Sequence, residues 1–142
     1  RLFVPITDHF AFGPTDFPAS PGVYALDVAT GRIIWKAPSP VNSCASMVCH
    51  PGYGGALAVT GGVVLAGADD GHLRAFEAAS GKLLWEDNTM RDFATVNGVA
   101  ARGGSISGGV GPIAWKGTVI VPSGYGFASK PKGNVLLVYG VE

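Results

Sequence analysis

The chain has 142 residues, enough for one domain that buries a substantial core. Lys plus Arg and Asp plus Glu stand at 10 each and only 14% of residues are charged, which removes the electrostatic case for nucleic acid or an anionic membrane surface. Apolar residues reach 47%, yet no apolar run of about 18 residues occurs, so no membrane span is expected.

Twenty-two glycines and ten prolines lie among valines, leucines and aromatics. That mixture predicts many short strands joined by tight turns rather than disorder, and helical periodicity is not sustained over a useful length. RLFVPI (1–6) opens directly as a strand, without the pattern of a secretory leader. The connection TDHFAFGPTDFPASPG (7–22) sets Asp8, His9 and Asp16 among three phenylalanines. A long connection at a sheet end can line a pocket, and His9 is its candidate proton-handling group, against the plainer reading of a surface or hydrogen-bonded histidine.

ALDVATGRIIW (25–35) then runs from a strand through a tight turn into a second strand that stops at Trp35, and AFEAASGKLLW (75–85) repeats it fifty residues later. Asp27 falls on Glu77, Thr30 on Ser80, Gly31 on Gly81 and Trp35 on Trp85. The acid and the hydroxyl residue supply acceptors for turn N–H groups, and glycine takes the left-handed conformation. GGVVLAGADDGHLRAFE (61–77) parallels KGTVIVPSGYG with GNVLLVYGVE (116–142), the later copy carrying the insertion FASKPKG, and residues 1–27 have the same two-strand form. Strand-rich repeats of about 40 to 50 residues are propeller blades. The fold class expected is therefore all-β: a partial β-propeller of about three four-stranded antiparallel blades, with Trp35 and Trp85 docking between neighbours. Propellers close with about four to eight blades, so residues 1–142 are expected to form the C-terminal segment of one larger propeller domain.

Between the repeats lie the residues that can carry chemistry. Cys44 and Cys49, in SCASMVCHPG, are the only cysteines. Their spacing in a Pro- and Gly-flanked loop allows a small disulfide, which would imply an oxidising compartment. CASMVCH also matches a longer-spaced c-type haem attachment pattern with His50 as axial ligand, although a strand-rich blade offers little of the helical pocket that haem needs, and two free thiols are the third alternative. Asp69 and Asp70 either ligate a divalent ion or build a hairpin turn, the turn being the expected role. TVNGVAARGGSISGG (95–109) offers Asn97, Arg102, Ser105 and Ser107, with free backbone N–H groups, to an anionic planar cofactor; the alternative is a flexible connection between blades. Trp115 is expected in the core or in docking. No Ser-His-Asp motif, phosphate loop or zinc-type Cys/His set is present.

The repeat A-x-[DE]-x-x-[TS]-G-[KR]-x-x-W resembles the tryptophan-docking motif of propellers that bind pyrroloquinoline quinone (PQQ), usually eight-bladed. The segments CASMVCHPGYGGALAVTGGVVLAGADDGHLRAF and FATVNGVAARGGSISGGVGPIAWKGTVIVPSGYG, with GNVLLVYGVE, are similar to the C-terminal part of polyvinyl-alcohol-dehydrogenase-like quinoproteins. The resemblance implies a periplasmic or secreted enzyme that oxidises small or polymeric alcohols with PQQ and passes electrons to a cytochrome c. It implies that Ca²⁺ is held mainly by residues outside this chain and that the segment alone lacks a complete active site. It also implies that PSGYG (122–126) faces the propeller axis, so Ser123, Gly124 and Tyr125 join the candidate cofactor contacts. The other function class is a non-catalytic propeller, a scaffold or binding protein.

Overall fold

The computed structural model describes residues 1–8, 19–40, 51–125 and 130–140. Its described residues form twelve β-strands and no helix, so no helix is long and apolar enough to cross a membrane. The first sheet is β1 (Leu2–Ile6), β2 (Gly22–Leu26) and β3 (Ile33–Pro38); the second is β4 (Ala58–Thr60), β5 (Val63–Gly67), β6 (His72–Glu77) and β7 (Leu83–Asn88). A hairpin of β8 (Asp92–Phe93) and β9 (Ala101–Arg102) precedes the third sheet, β10 (Ile113–Trp115), β11 (Thr118–Ser123) and β12 (Val135–Gly140). Every strand pairing is antiparallel between chain neighbours. One sheet has the expected four strands. The first and third sheets have three strands each among the described residues.

Local chemistry sets the turns. Gly61 and Gly62 (φ 53° and 80°) join β4 to β5, and Lys116 and Gly117 (φ 44° and 77°) join β10 to β11. Two successive positive φ values over two residues are the type I′ hairpin, whose twist matches that of the strands. These turns fix Val64 as the counterpart of Val119 and Gly67 as that of Pro122. In the first repeat turn the Asp27 carboxylate accepts the N–H groups of Ala29 and Thr30 at 2.9 and 2.8 Å, and Gly31 has φ 70°. The N–H of Thr30 is the main reason the Asp27 carboxyl lies below its usual value. The second turn matches it: Ser80 bonds Glu77, the Gly81 N–H donates to the Glu77 carbonyl at 2.8 Å, and Gly81 has φ 76°. The strands flanking both turns shift register at the same place, beside Ala25 and Ala75.

The sheets stack through two apolar layers. Val23, Ala25 and Trp35 of the first sheet bury against Val64, Ala66 and Phe76 of the second. Leu73 of the second packs with Ile106, Val121, Val119, Leu137 and Tyr139. The alternation along β12 places Leu137 and Tyr139 inward and Leu136 and Val138 outward.

Trp35 and Trp85 hold equivalent positions, opposite Ala25 and Ala75. Trp35 is 9% exposed; its indole N–H donates to the Ala78 carbonyl at 3.2 Å, and its ring lies where a Cβ on Gly81 would come within 2.6 Å. Trp85 keeps 43% of its surface exposed and meets Tyr139 edge-on at 5.4 Å. Its docking is thus partial: among the described residues no turn covers it as the turn at Gly81 covers Trp35. Trp115 is 64% exposed, with the Lys116 ammonium 4.7 Å from its ring centre. That is a departure from the core or docking role expected for it.

Candidate functional site

At one end of the sheets, the connection from β9 to β10 folds into the space between the second and third sheets. Ile106 N–H donates to the Ala68 carbonyl at 3.0 Å, Gly124 N–H to the Ser105 carbonyl at 2.9 Å, and Ser105 N–H to the Pro131 carbonyl at 2.8 Å. Glycine is needed for this approach. A Cβ on Gly103 would lie 1.7 Å from the Thr89 carbonyl oxygen and one on Gly111 1.9 Å from that of Ala56. The glycines of this stretch thus serve close backbone packing between sheets.

The hydroxyls of the segment are turned inward. Ser105, Ser107 and Ser123 are at most 2% exposed. Thr89 donates to the Gly71 carbonyl at 2.6 Å and lies 2.7 Å from Ser123 Oγ, which accepts the Gly104 N–H at 3.0 Å. Ser105 Oγ donates to Ser107 Oγ at 3.0 Å. Each therefore has partners within the protein, as buried polar groups require. Gly124, at φ 113°, packs so tightly that a Cβ would come within 2.1 Å of Gly133. Tyr125 is the exposed member of the group, at 64%, and its ring borders Gly108, where a Cβ would come within 3.2 Å of it.

Five of the seven candidate cofactor contacts are thus brought together: Ser105, Ser107, Ser123, Gly124 and Tyr125. The other two lie apart on the β8–β9 hairpin. Asn97 closes its tip, accepting from the Thr95 hydroxyl at 2.6 Å and the Val99 N–H at 3.3 Å. Arg102 points to solvent and pairs with Asp92 at 2.8 Å, while its backbone bonds Asn134. An open groove of about 630 Å³ runs beside that hairpin, lined by Phe93, Val96, Asn97, Leu136 and Val138. Leu136 and Val138 correspond to Leu73 and Ala75, which are buried between sheets. The groove is thus an uncovered sheet-packing face, and the exposed aromatic platform lies elsewhere, at Tyr125.

Asp69 and Asp70 form the hairpin turn, with Ala68 N–H donating to the His72 carbonyl at 2.9 Å. Both also engage side chains within the protein. Asp70 holds the His72 N–H at 3.0 Å and the Arg74 guanidinium at 3.2 Å, and Asp69 faces Lys130 at 2.8 Å. No cluster of three or more His, Cys, Asp or Glu suited to a metal occurs among the described residues. Sequence reasoning missed Arg74. It is 2% exposed and bonds Asp70, Glu86 at 3.1 Å and the Tyr53 hydroxyl at 3.2 Å. Strand alternation aims it between the first two sheets, where Tyr53 joins the turn's Asp70 and the cross-strand Glu86 around it. Asp8 is exposed and takes the Ser20 N–H. His9, Asp16, Cys44, Cys49 and His50 lie outside the described residues, and with them the disulfide, the haem alternative and the proton-handling histidine.

A planar, anionic cofactor such as PQQ fits this end in part. Tyr125 beside Gly108 is a face on which a flat ring can stack. The three serine hydroxyls do not fit as its direct donors, because they are enclosed and engaged with one another and with the backbone.

The family described as "Outer membrane protein assembly factor BamB" (PQQ_2) matches residues 10–138. A polyvinylalcohol dehydrogenase of a Pseudomonas species is 41% identical over 133 residues, covering 86% of this chain and 21% of that protein. The structure of a quinohemoprotein alcohol dehydrogenase from Pseudomonas putida HK5 superposes with a TM-score of 0.54 at 30% identity, covering 72% of this chain and 14% of the other. BamB from Moraxella catarrhalis superposes at 0.51 with 18% identity over 73% of this chain and 29% of its own, a likeness of fold alone. The chain thus spans about a fifth of the length of the polyvinylalcohol dehydrogenase it matches. With its repeated turns, its stacked antiparallel sheets and these matches, the chain belongs to the PQQ-type β-propeller repeat family and is similar to the polyvinyl-alcohol-dehydrogenase-like quinoproteins within it.

Proposed function

We propose that this chain is the C-terminal propeller segment of a periplasmic PQQ-dependent quinoprotein that oxidises alcohols, polymeric ones such as polyvinyl alcohol included. The observation that carries the reading is the 41% identity to a polyvinylalcohol dehydrogenase over 133 residues, 86% of this chain. PQQ, when bound, supplies the hard step, accepting a hydride equivalent from the alcohol carbon. The part of this chain is to place one wall of the site. Tyr125 stacks on the cofactor, the Gly108–Gly109 turn lets it lie close, and the buried serines hold both segments in place. Calcium and the catalytic acid come from other parts of the propeller, and a cytochrome c takes the electrons. An oxidising compartment agrees with a Cys44–Cys49 disulfide.

The test is reconstitution of the full-length protein with PQQ and Ca²⁺, followed by alcohol-dependent dye reduction. Saturable PQQ binding with turnover supports the reading. A full-length protein that binds no PQQ defeats it and leaves the non-catalytic scaffold, which the enclosed state of Ser105, Ser107 and Ser123 favours.

A further inference from the structure

Asp69 is an acid that its own turn does not use. Asp70 caps the turn, whereas the Asp69 side chain is fully buried and leaves it. Its Oδ2 accepts the Thr7 hydroxyl at 2.9 Å and faces the Lys130 ammonium at 2.8 Å. Its backbone N–H donates to the Gly52 carbonyl at 2.8 Å, and a Cβ on nearby Gly54 would come within 3.0 Å of Oδ1 and 3.1 Å of Lys130 Nζ. Thr7 follows β1 in the first sheet, Asp69 follows β5 in the second, and Lys130 lies in the β11–β12 connection of the third. The repeat does not demand this: the positions equivalent to Asp69 are Thr7 in the first sheet and Gly124 in the third.

We infer that Asp69 is an ionic latch that joins three consecutive sheets at one end and acts as the positioning residue for residues 130–134, which lead into β12. Oδ1 accepts no hydrogen bond among the described residues, so Lys130 and Thr7 carry the compensation of this buried charge through Oδ2 alone. Lys130 is 19% exposed in its side chain and Asp69 not at all. Loss of either partner strands a charge, but the two losses differ: a lone lysine can turn its ammonium to water, whereas a lone Asp69 carboxylate stays enclosed. The pinned residues give their Pro131 carbonyl to the Ser105 N–H, and the Ser105 carbonyl in turn accepts the Gly124 N–H beside Ser123 and Tyr125. The latch rests on this geometry and is independent of the quinoprotein reading.

Hydrogen exchange of the full chain, followed by mass spectrometry, tests it. Asp69→Asn should speed exchange of peptides covering 123–125 and 130–134 about tenfold, while β2 and β3 exchange as before. Lys130→Met should speed it more. The double variant, with no buried charge left, should return most of the way. The inference is overturned if Asp69→Asn leaves these peptides at the parent rate, if all sheets loosen equally, or if the double variant shows the sum of the two single effects. Should Lys130→Met not fold, Asp69→Asn decides alone.

Discussion

Removing the two equivalent tryptophans should cost unequal amounts, and the structure sets the sizes. A tryptophan buries about 200 Å² when fully covered. With Trp35 only 9% exposed, roughly nine-tenths of that is withdrawn from water, or about 4.5 kcal/mol at about 25 cal/mol per Å², an upper value because the unfolded chain is itself partly compact. The indole hydrogen bond to Ala78 adds about 1 kcal/mol. Trp35→Ala should therefore lose about 3–5 kcal/mol, the usual span for a large aromatic in a core. Trp85, at 43% exposed, has little more than half its surface covered, and Trp85→Ala should lose about 2–3 kcal/mol. Urea unfolding of the 142-residue chain, followed by far-ultraviolet circular dichroism, gives both numbers. Equal losses, or a larger one at Trp85, would refute the account of docking.

Ser123→Ala should cost about 1–3 kcal/mol, because it strands the Gly104 N–H in the interior and removes one partner of the Thr89 hydroxyl, which keeps its bond to the Gly71 carbonyl; a thermal melt unchanged from the parent would contradict the buried network. Tyr125→Ala should leave the melting temperature in place, since the ring is exposed, and weaken PQQ binding to the full-length protein in a fluorescence titration. The Arg91 guanidinium at 2.7 Å, with the Tyr139 hydroxyl at 2.8 Å, holds the Asp87 carboxyl below its usual 3.8. A depressed carboxyl stabilises the fold above the ordinary carboxylate range and loses that contribution as pH falls through the folded value, so Asp87→Asn should flatten the loss of stability below about pH 4 in urea midpoints taken between pH 3 and 6. Thiol titration of the denatured, unreduced chain should find Cys44 and Cys49 unreactive; two titratable thiols would remove the disulfide.

What the sequence determines here is what neighbours along the chain decide. Asp27 with Thr30 and Gly31, and Glu77 with Ser80 and Gly81, contain every group their turns need within five residues, so the spelling of the repeat is enough to place them. Strand alternation and the fifty-residue period yield the stacked sheets, and the position of each tryptophan follows from them. The tertiary structure decided the rest, because the partners lie far apart in the chain. Glycine and serine in 95–109 read equally well as a ligand cradle or as close packing; only the approach of Thr89, Ser123 and Gly133 shows the serines enclosed and Tyr125 exposed. Arg74 finds Tyr53 from a different part of the chain, and Asp69 meets Thr7 and Lys130, about sixty residues away on either side, at a junction of three sheets. A buried charge is tolerable only where such partners converge, and convergence is a property of the fold.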